Sequence, residues 1–397
     1  MTATRYLLLA ASTLLSHVAA AQRLITGKVL DKQTRQPVPY ASVVVAGTTQ
    51  GTTTNAEGEF GLRVAQLPAK VLAFSLGYGR DSVTVTAAGP TPALALQAAP
   101  VQLPAVEPTS YAAQLLARAY RVLQRTRGHS EYGQAFYRQF TRNGDQPIEA
   151  LEAVWDVKTN SAGLAGTRLS QGRYATHAGL MNFTNFSLYT KIFGGFCGLA
   201  ANDMTNSHAV LGPDATRLYT LRYQGQTQSS GRRVAEVAFV SRPGIPWVSG
   251  SLYIDLATYQ VLHARATRPM DFKSSRSKGF VFKADTISLE ADFKPQLTGA
   301  VPNYVRVTAA LVVGQPRKPD VPVGAASFTS FYDGRPTPTG LPYAGPEAIA
   351  NDLAAIKQKP YGPDFWRDNP VVKRTPLEEE TIKSFEQSKA FGTILTR

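Results

Sequence analysis

Cysteine is nearly absent: Cys197 stands alone among 397 residues, so no disulfide can form within the chain. It has no histidine close by and reads as a small buried hydrophobe. No cysteine stands directly after the apolar N-terminal stretch, and no lipid-anchored N-terminus is expected. Nor does any later stretch reach the roughly 18 unbroken apolar residues of a membrane-crossing helix, so no transmembrane span is expected. The catalytic signatures are missing as well. None of the histidines His129, His177, His208 and His263 opens an H-x-x-E pair, and no H-E-x-x-H, G-x-S-x-G or strand-borne G-x-G-x-x-G occurs. Acidic residues are scarce, 28 against 42 Lys and Arg, for a net charge of +14. Yet no long Lys/Arg run accompanies this excess, so nucleic acid is not an expected partner.

What is present is a globular composition, 43% hydrophobic and 18% charged, long enough for more than one domain. Arg5, the apolar run Tyr6–Leu15 and the small residues Ala19–Ala21 have the three-part order of a secretory signal peptide. Cleavage after Ala21 is expected, with the mature chain starting at Gln22. Export to the periplasm or association with the outer membrane follows from that expectation.

From Leu24 to Leu96 the pattern is short strands and turns. Ile25–Leu30, Tyr40–Ala46, Glu59–Val64, Val71–Leu76 and Ser82–Thr86 read as strands, and Phe60, Leu62 and Val64 alternate onto one face. Gly58 suits a turn with positive φ. The order Gly27-x-Val29-x-Asp31, Pro37 with Ala41, Val43 and Val45, then Gly51-Thr52-x-Thr54 with Gly58 and Phe60, and last Gly77-Tyr78, resembles the carboxypeptidase-regulatory-like family. The resemblance implies a transthyretin-like Greek-key β-sandwich over residues 22–97 that does not itself cut peptides. In that frame Gly27, Pro37, Gly51, Gly58 and Gly77 set loop geometry and Phe60 plugs the end of the sandwich. Asn55 and Glu57 offer two oxygens, too few to point to calcium; no metal or cofactor is expected.

A proline-rich linker spans residues 98–108. Helical spacing of Tyr111, Leu115, Ala119 and Val122 predicts a lid helix ending near Gly128, with Arg118, Arg121 and Arg125 outward. The alternation that follows predicts an antiparallel sheet over residues 109–340, in an α+β domain with flanking helices. Its strands include a hairpin about Asn143–Gly144–Asp145 and another closed at Ala257–Thr258. Residues 341–397 read as a helical tail, with helices over Pro346–Gln358 and Pro376–Lys389 and an aromatic stretch Tyr361–Trp366 between them. The order of helix, QAFYRQFTRNGDQPIEALEAVWDV and GSLYIDLATYQVLHARA resembles the partner region that follows this sandwich in cell-envelope proteins of Bacteroidota. The second hairpin also resembles the curved sheets of periplasmic lipoprotein carriers.

Three features invite a functional reading. Arg265, Arg268, Lys273, Arg276, Lys278 and Lys283 crowd one connection and are a candidate grip for anionic lipid or glycan; the alternative is a solvated loop. The apolar stretch Phe183–Leu199, with Gly194–Gly195 inside it, is either a mouth that touches lipid or protein or a loop folded over the sheet. Glu152, Asp156 and Asp255 are candidate carboxylates for a hydrolase, since such acids are placed by the fold and not by spacing; the alternative is a place on the solvated or capped side of strands. The expected function is therefore non-catalytic: binding or scaffolding at the periplasmic face of the outer membrane, with an envelope protein, a lipid or an anionic glycan as partner. The alternative is an envelope hydrolase acting on glycan or peptide.

Overall fold

The computed structural model describes residues 23–102, 110–184, 186–191, 208–229, 231–270, 280–315, 317–335, 342–345, 352–368 and 372–391. The signal segment, Cys197 and the greater part of the apolar stretch lie outside the described residues. The architecture is mainly β, in two sheet systems.

The first is a sandwich. Strands β1 (Arg23–Asp31), β2 (Ser42–Val45), β3 (Gly51–Thr53), β4 (Glu59–Val64), β5 (Ala69–Phe74), β6 (Asp81–Val85), β7 (Gly89–Pro90) and β8 (Leu94–Leu96) make two sheets. One runs β4-β1-β7 with β8 also on β1, and the other runs β3-β2-β5-β6. The alternation read from the sequence holds. Phe60, Leu62 and Val64 turn inward to meet Val29, Val43, Val71 and Leu94 in a closed core. Gly58 has φ +69° and Gly77 φ +80°, as turn glycines should. Gly27 departs from the expectation of loop geometry. It sits mid-strand, and a Cβ there would come within 2.7 Å of the Phe60 ring, so glycine makes room for the plug.

The second system is a single ten-stranded antiparallel sheet. It is built from β9 (Glu131–Asn143), β10 (Gln146–Asn160), β11 (Gly163–Thr176), β12 (Tyr219–Ser229), β13 (Arg232–Ser241), β14 (Ser249–Asp255), β15 (Val261–Pro269), β16 (Val281–Lys294), β17 (Val301–Gln315) and β18 (Lys318–Arg335). Its order is β11-β10-β9-β18-β17-β16-β15-β14-β13-β12. Both predicted hairpins are present, β9–β10 and β14–β15.

Side chains alternate between two faces. The first face carries Tyr137, Leu151, Trp155, Val305 and Val307, continued by Ala235, Val237 and Leu252. Helix α1 (Ser110–Thr126) covers one half of it with Leu115, Leu116, Ala119 and Leu123. The other half is covered by Phe183 and Phe186, with the short helices α2 (Ser187–Lys191) and α4 (Asp352–Lys357). The described part of the apolar stretch thus folds over the sheet. Helix α3 (Ala215–Leu218) leads into β12. The second face is covered by the sandwich and by helices α5 (Pro363–Asp368) and α6 (Pro376–Gln387). Thr375 opens α6 with a capping box, accepting from the Glu378 backbone N–H while Glu378 accepts from its own. The C-terminal tail therefore divides between the two faces.

Residues 98–102 run along the large sheet and are no free spacer. Gln102 exchanges backbone hydrogen bonds with Gln226, and the Thr227 hydroxyl donates to Ala99. The sandwich sits directly on the second face. Tyr40 stacks on Phe328 at 5.3 Å between ring centroids, and the Asn303 amide donates to the Ser42 hydroxyl at 2.6 Å.

Candidate functional site

Hydrolysis by the candidate carboxylates would need at least one of them free of a cationic partner. Glu152 lies on the second face, directly across the strands from Arg138 on one side and Arg173 on the other. It is 1% exposed. Arg138 Nε reaches it at 2.7 Å, Arg173 Nε at 2.8 Å, and Arg374 stands at 3.6 Å. Burial pushes the Glu152 carboxyl up, but the three guanidinium groups outweigh it and bring it down to about 2. Such a group stays ionised and cannot deliver a proton near neutral pH. Asp156 accepts from Arg168 and from the Gln134 amide. Asp255 accepts from the backbone N–H groups of Ala257 and Thr258 and pairs with Arg232 at 2.9 Å, which holds the β14–β15 turn. All three carboxylates are engaged in holding strands and turns.

Of the six basic residues, three lie among the described residues. Arg265 and Arg268 belong to β15 and Lys283 to β16, whereas Lys273, Arg276 and Lys278 lie outside the described residues. Three positions apart on a regular strand, Arg265 and Arg268 face opposite sides of the sheet. Arg265 pairs with Glu236 and Lys283 with Asp320, both at 2.9 Å. The described members thus do not converge on one point. Among the motif residues, Asn55 uses its side-chain oxygen to accept from the Glu57 and Glu59 backbones, which shapes the turn.

What the second face does leave open is a groove. Between the sandwich and the far end of β16–β18 it has two neighbouring hollows, both lined by Thr308. The part nearer the sandwich, about 510 Å³, is polar and is lined by Arg265, Glu290, Arg306, Thr267 and Ser288. Arg306 pairs with Glu290 at 3.3 Å and lies 5.0 Å over the Tyr40 ring, so the sandwich forms a rim. The far part, about 580 Å³, is lined by Ala310, Val312, Gly324, Ala326, Phe140 and Arg142. Small side chains on adjacent strands make up much of this lining, and Ala310 and Ala326 are exposed. Behind the rim, His263 is buried between Asp292 and Glu290, each at 3.4 Å from one of its ring nitrogens.

Sequence reasoning passed over this groove because it depends on β18. The run VPVGAASFTSF has a period of two, but its small residues resemble a turn-rich loop. Arg306, Thr308, Ala310 and Val312 also alternate onto one face of β17, a signal that was there to be found.

With this geometry in hand, comparison with known proteins identifies one part of the chain. Residues 25–106 match the family model of the CarboxypepD_reg-like domain. The N-terminal sandwich is a carboxypeptidase-regulatory-like domain, and the match runs past β8 into the proline-rich segment. No curated protein matches the chain. Among solved structures, similarity is found to a LolA superfamily protein from Nitrosomonas europaea, with 11% identity over 57% of this chain and 94% of that one and a TM-score of 0.24. Lipovitellin, in a structure titled for its lipid–protein interactions, is similar over 54% of this chain and 26% of its own, at 9% identity and a TM-score of 0.25. A 9R-lipoxygenase from Cyanothece is similar over 44% and 45%, at 10% identity and a TM-score of 0.17. Scores this low carry no functional argument. Among the described residues no helix is long and apolar enough to cross a membrane, and no group of three or more His, Cys, Asp or Glu is placed to hold a metal ion.

Proposed function

We propose that this is an exported, non-catalytic protein of the cell envelope that binds or scaffolds at the periplasmic face of the outer membrane. The observation that carries the reading is the open groove on the second face, charged at the sandwich end and apolar at the other. A ligand with a polar head and an apolar body, such as an envelope lipid, complements both parts. The hydrolase reading loses support from the same face, where Glu152, Asp156 and Asp255 are all neutralised by guanidinium groups. The signal-peptide pattern at the N-terminus supports export.

Co-sedimentation of the mature chain with vesicles rich in anionic lipid tests the groove. Ala326 lines it and is exposed, so Ala326→Glu introduces a charge there without disturbing a core. The wild type should sediment with the vesicles and the variant should stay in solution. Equal sedimentation of the two would remove the groove from the account.

A further inference from the structure

A second pocket, separate from the groove, lies on the first face between α1 and strands β12 and β13. It has a volume of about 310 Å³, at the small end of the range for small-molecule sites, about 300 to 1,000 Å³. Two arginines, Arg118 and Arg233, and three tyrosines, Tyr111, Tyr223 and Tyr259, line it, and no acidic side chain does. Several arginines of the large sheet face a carboxylate, Arg138 and Arg173 facing Glu152, Arg265 facing Glu236 and Arg306 facing Glu290, whereas no carboxylate lines this pocket.

Local structure explains why these side chains converge. Tyr111, Gln114 and Arg118 follow one another at i, i+3 and i+7 and so share a face of α1. Arg233 stands two residues before Ala235, which is in the core of the first face, and so points toward the same helix. Tyr259 is at the β14–β15 turn with φ +58°. Its ring lies 5.1 Å beneath the Arg118 guanidinium, which also donates to its hydroxyl. Tyr111 and Tyr223 meet edge to face at 5.0 Å, an arrangement that fixes both rings as a wall.

We propose that this pocket binds an acidic sugar, a pyranose that bears a carboxylate or a phosphate, as one residue of an anionic glycan. Guanidinium forks match the planar carboxylate and the phosphate by paired charge-assisted hydrogen bonds. Tyrosine faces offer flat apolar surface to the C–H face of a sugar ring. Amides of Gln114 and Gln226, which also line the pocket, supply donors and acceptors of the kind that sugar hydroxyls need. Arg121 and Arg125 are exposed along the same helix, so a longer anionic chain leaving the pocket would run along them. This site does not depend on the lipid reading of the groove.

Calorimetric titration of the full mature chain with glucose 6-phosphate and with a galacturonate trisaccharide tests the proposal, with glucose and inorganic phosphate as comparison ligands. Both acidic sugars should bind, and each comparison ligand should bind at least about tenfold more weakly. Arg233 is exposed, so Arg233→Gln should leave the circular dichroism unchanged and weaken both acidic sugars about tenfold or more, the loss of one charge-assisted fork. Arg118→Gln should act in the same direction. Arg217→Gln, which removes an equal charge from an exposed pair with Asp214, should change nothing. Failure of both acidic sugars to bind the wild type would overturn the proposal, as would unchanged affinity in Arg233→Gln. Inorganic phosphate binding as tightly as glucose 6-phosphate would overturn the sugar assignment.

Discussion

Replacing Glu152 by Gln removes the one negative charge between Arg138 and Arg173 while keeping the shape of the side chain. Breaking a buried pair from one side costs about 3–5 kcal/mol, because the opposing charges are left without compensation. Here the lower end applies. Arg138 keeps Glu378 at 3.4 Å and the Val372 carbonyl, and Arg173 keeps Glu386 at 3.1 Å. The shifted carboxyl gives a second route to the magnitude. Moving it from its ordinary 4.5 down to about 2 corresponds to about 3 kcal/mol. Because the folded value lies below the unfolded one, this stabilisation is complete above about pH 4.5 and is lost as the pH falls from there toward 2. Urea unfolding followed by tryptophan fluorescence reads the change well, since Trp366 lies 5.0 Å from the Arg173 guanidinium. With a slope of about 3 kcal/mol per M, the midpoint should drop by about 1 M at pH 7. The difference between wild type and variant should close on acidification to about pH 2. A loss below about 1 kcal/mol at neutral pH would refute the reasoning, and so would a difference that persists unchanged at acid pH.

Further outcomes follow from other parts of the chain. N-terminal sequencing of envelope material should find Gln22 first; an intact Met1 would contradict export by a cleaved signal. Residues 22–97 expressed alone should give a β-sandwich spectrum with modest stability, since so small a domain buries little and separation exposes Tyr40, which stacks on Phe328. A disordered or helical spectrum would count against this. If the basic connection grips an anionic envelope polymer, changing Arg268, Lys273, Arg276 and Lys278 together to Ser should reduce low-salt sedimentation with outer-membrane vesicles, and added salt should weaken the wild type, since charge attraction is screened over about 8 Å at physiological salt. Equal sedimentation of variant and wild type would leave these residues a role in solubility alone.

The sandwich was legible in the sequence because its glycines and alternating valines are locally decisive, each tied to a turn or a core face. So was the β9–β10 hairpin, where Leu151, Ala153, Trp155 and Val157 alternate about an Asn–Gly turn. Strands β11 and β18 were missed for a physical reason. Gly163, Gly166 and Gly172 weaken the local signal of β11, yet Gly172 is needed because Ile356 lies where a side chain would be. Strand β18 contains Pro319, Pro322 and Gly324 and is held by hydrogen bonds to β9 and β17 on its two sides, a tertiary effect that overrides local propensity. The Arg138–Glu152–Arg173 row needs the register of three strands, and the Arg118–Arg233 pocket needs a helix docked on a sheet edge. Neither arrangement has a signature in residue spacing, which is why Glu152 stood among possible catalytic acids until its neighbours were known.

The central claim is that the chain binds a component of the envelope without cutting it. Its most direct test is to incubate the purified mature chain with isolated envelope at neutral pH, pellet the envelope, and analyse both fractions. The account predicts protein in the pellet and no rise in soluble reducing ends or new amino termini over buffer alone. Release of soluble fragments that disappears in Glu152→Gln, Asp156→Asn or Asp255→Asn would contradict it.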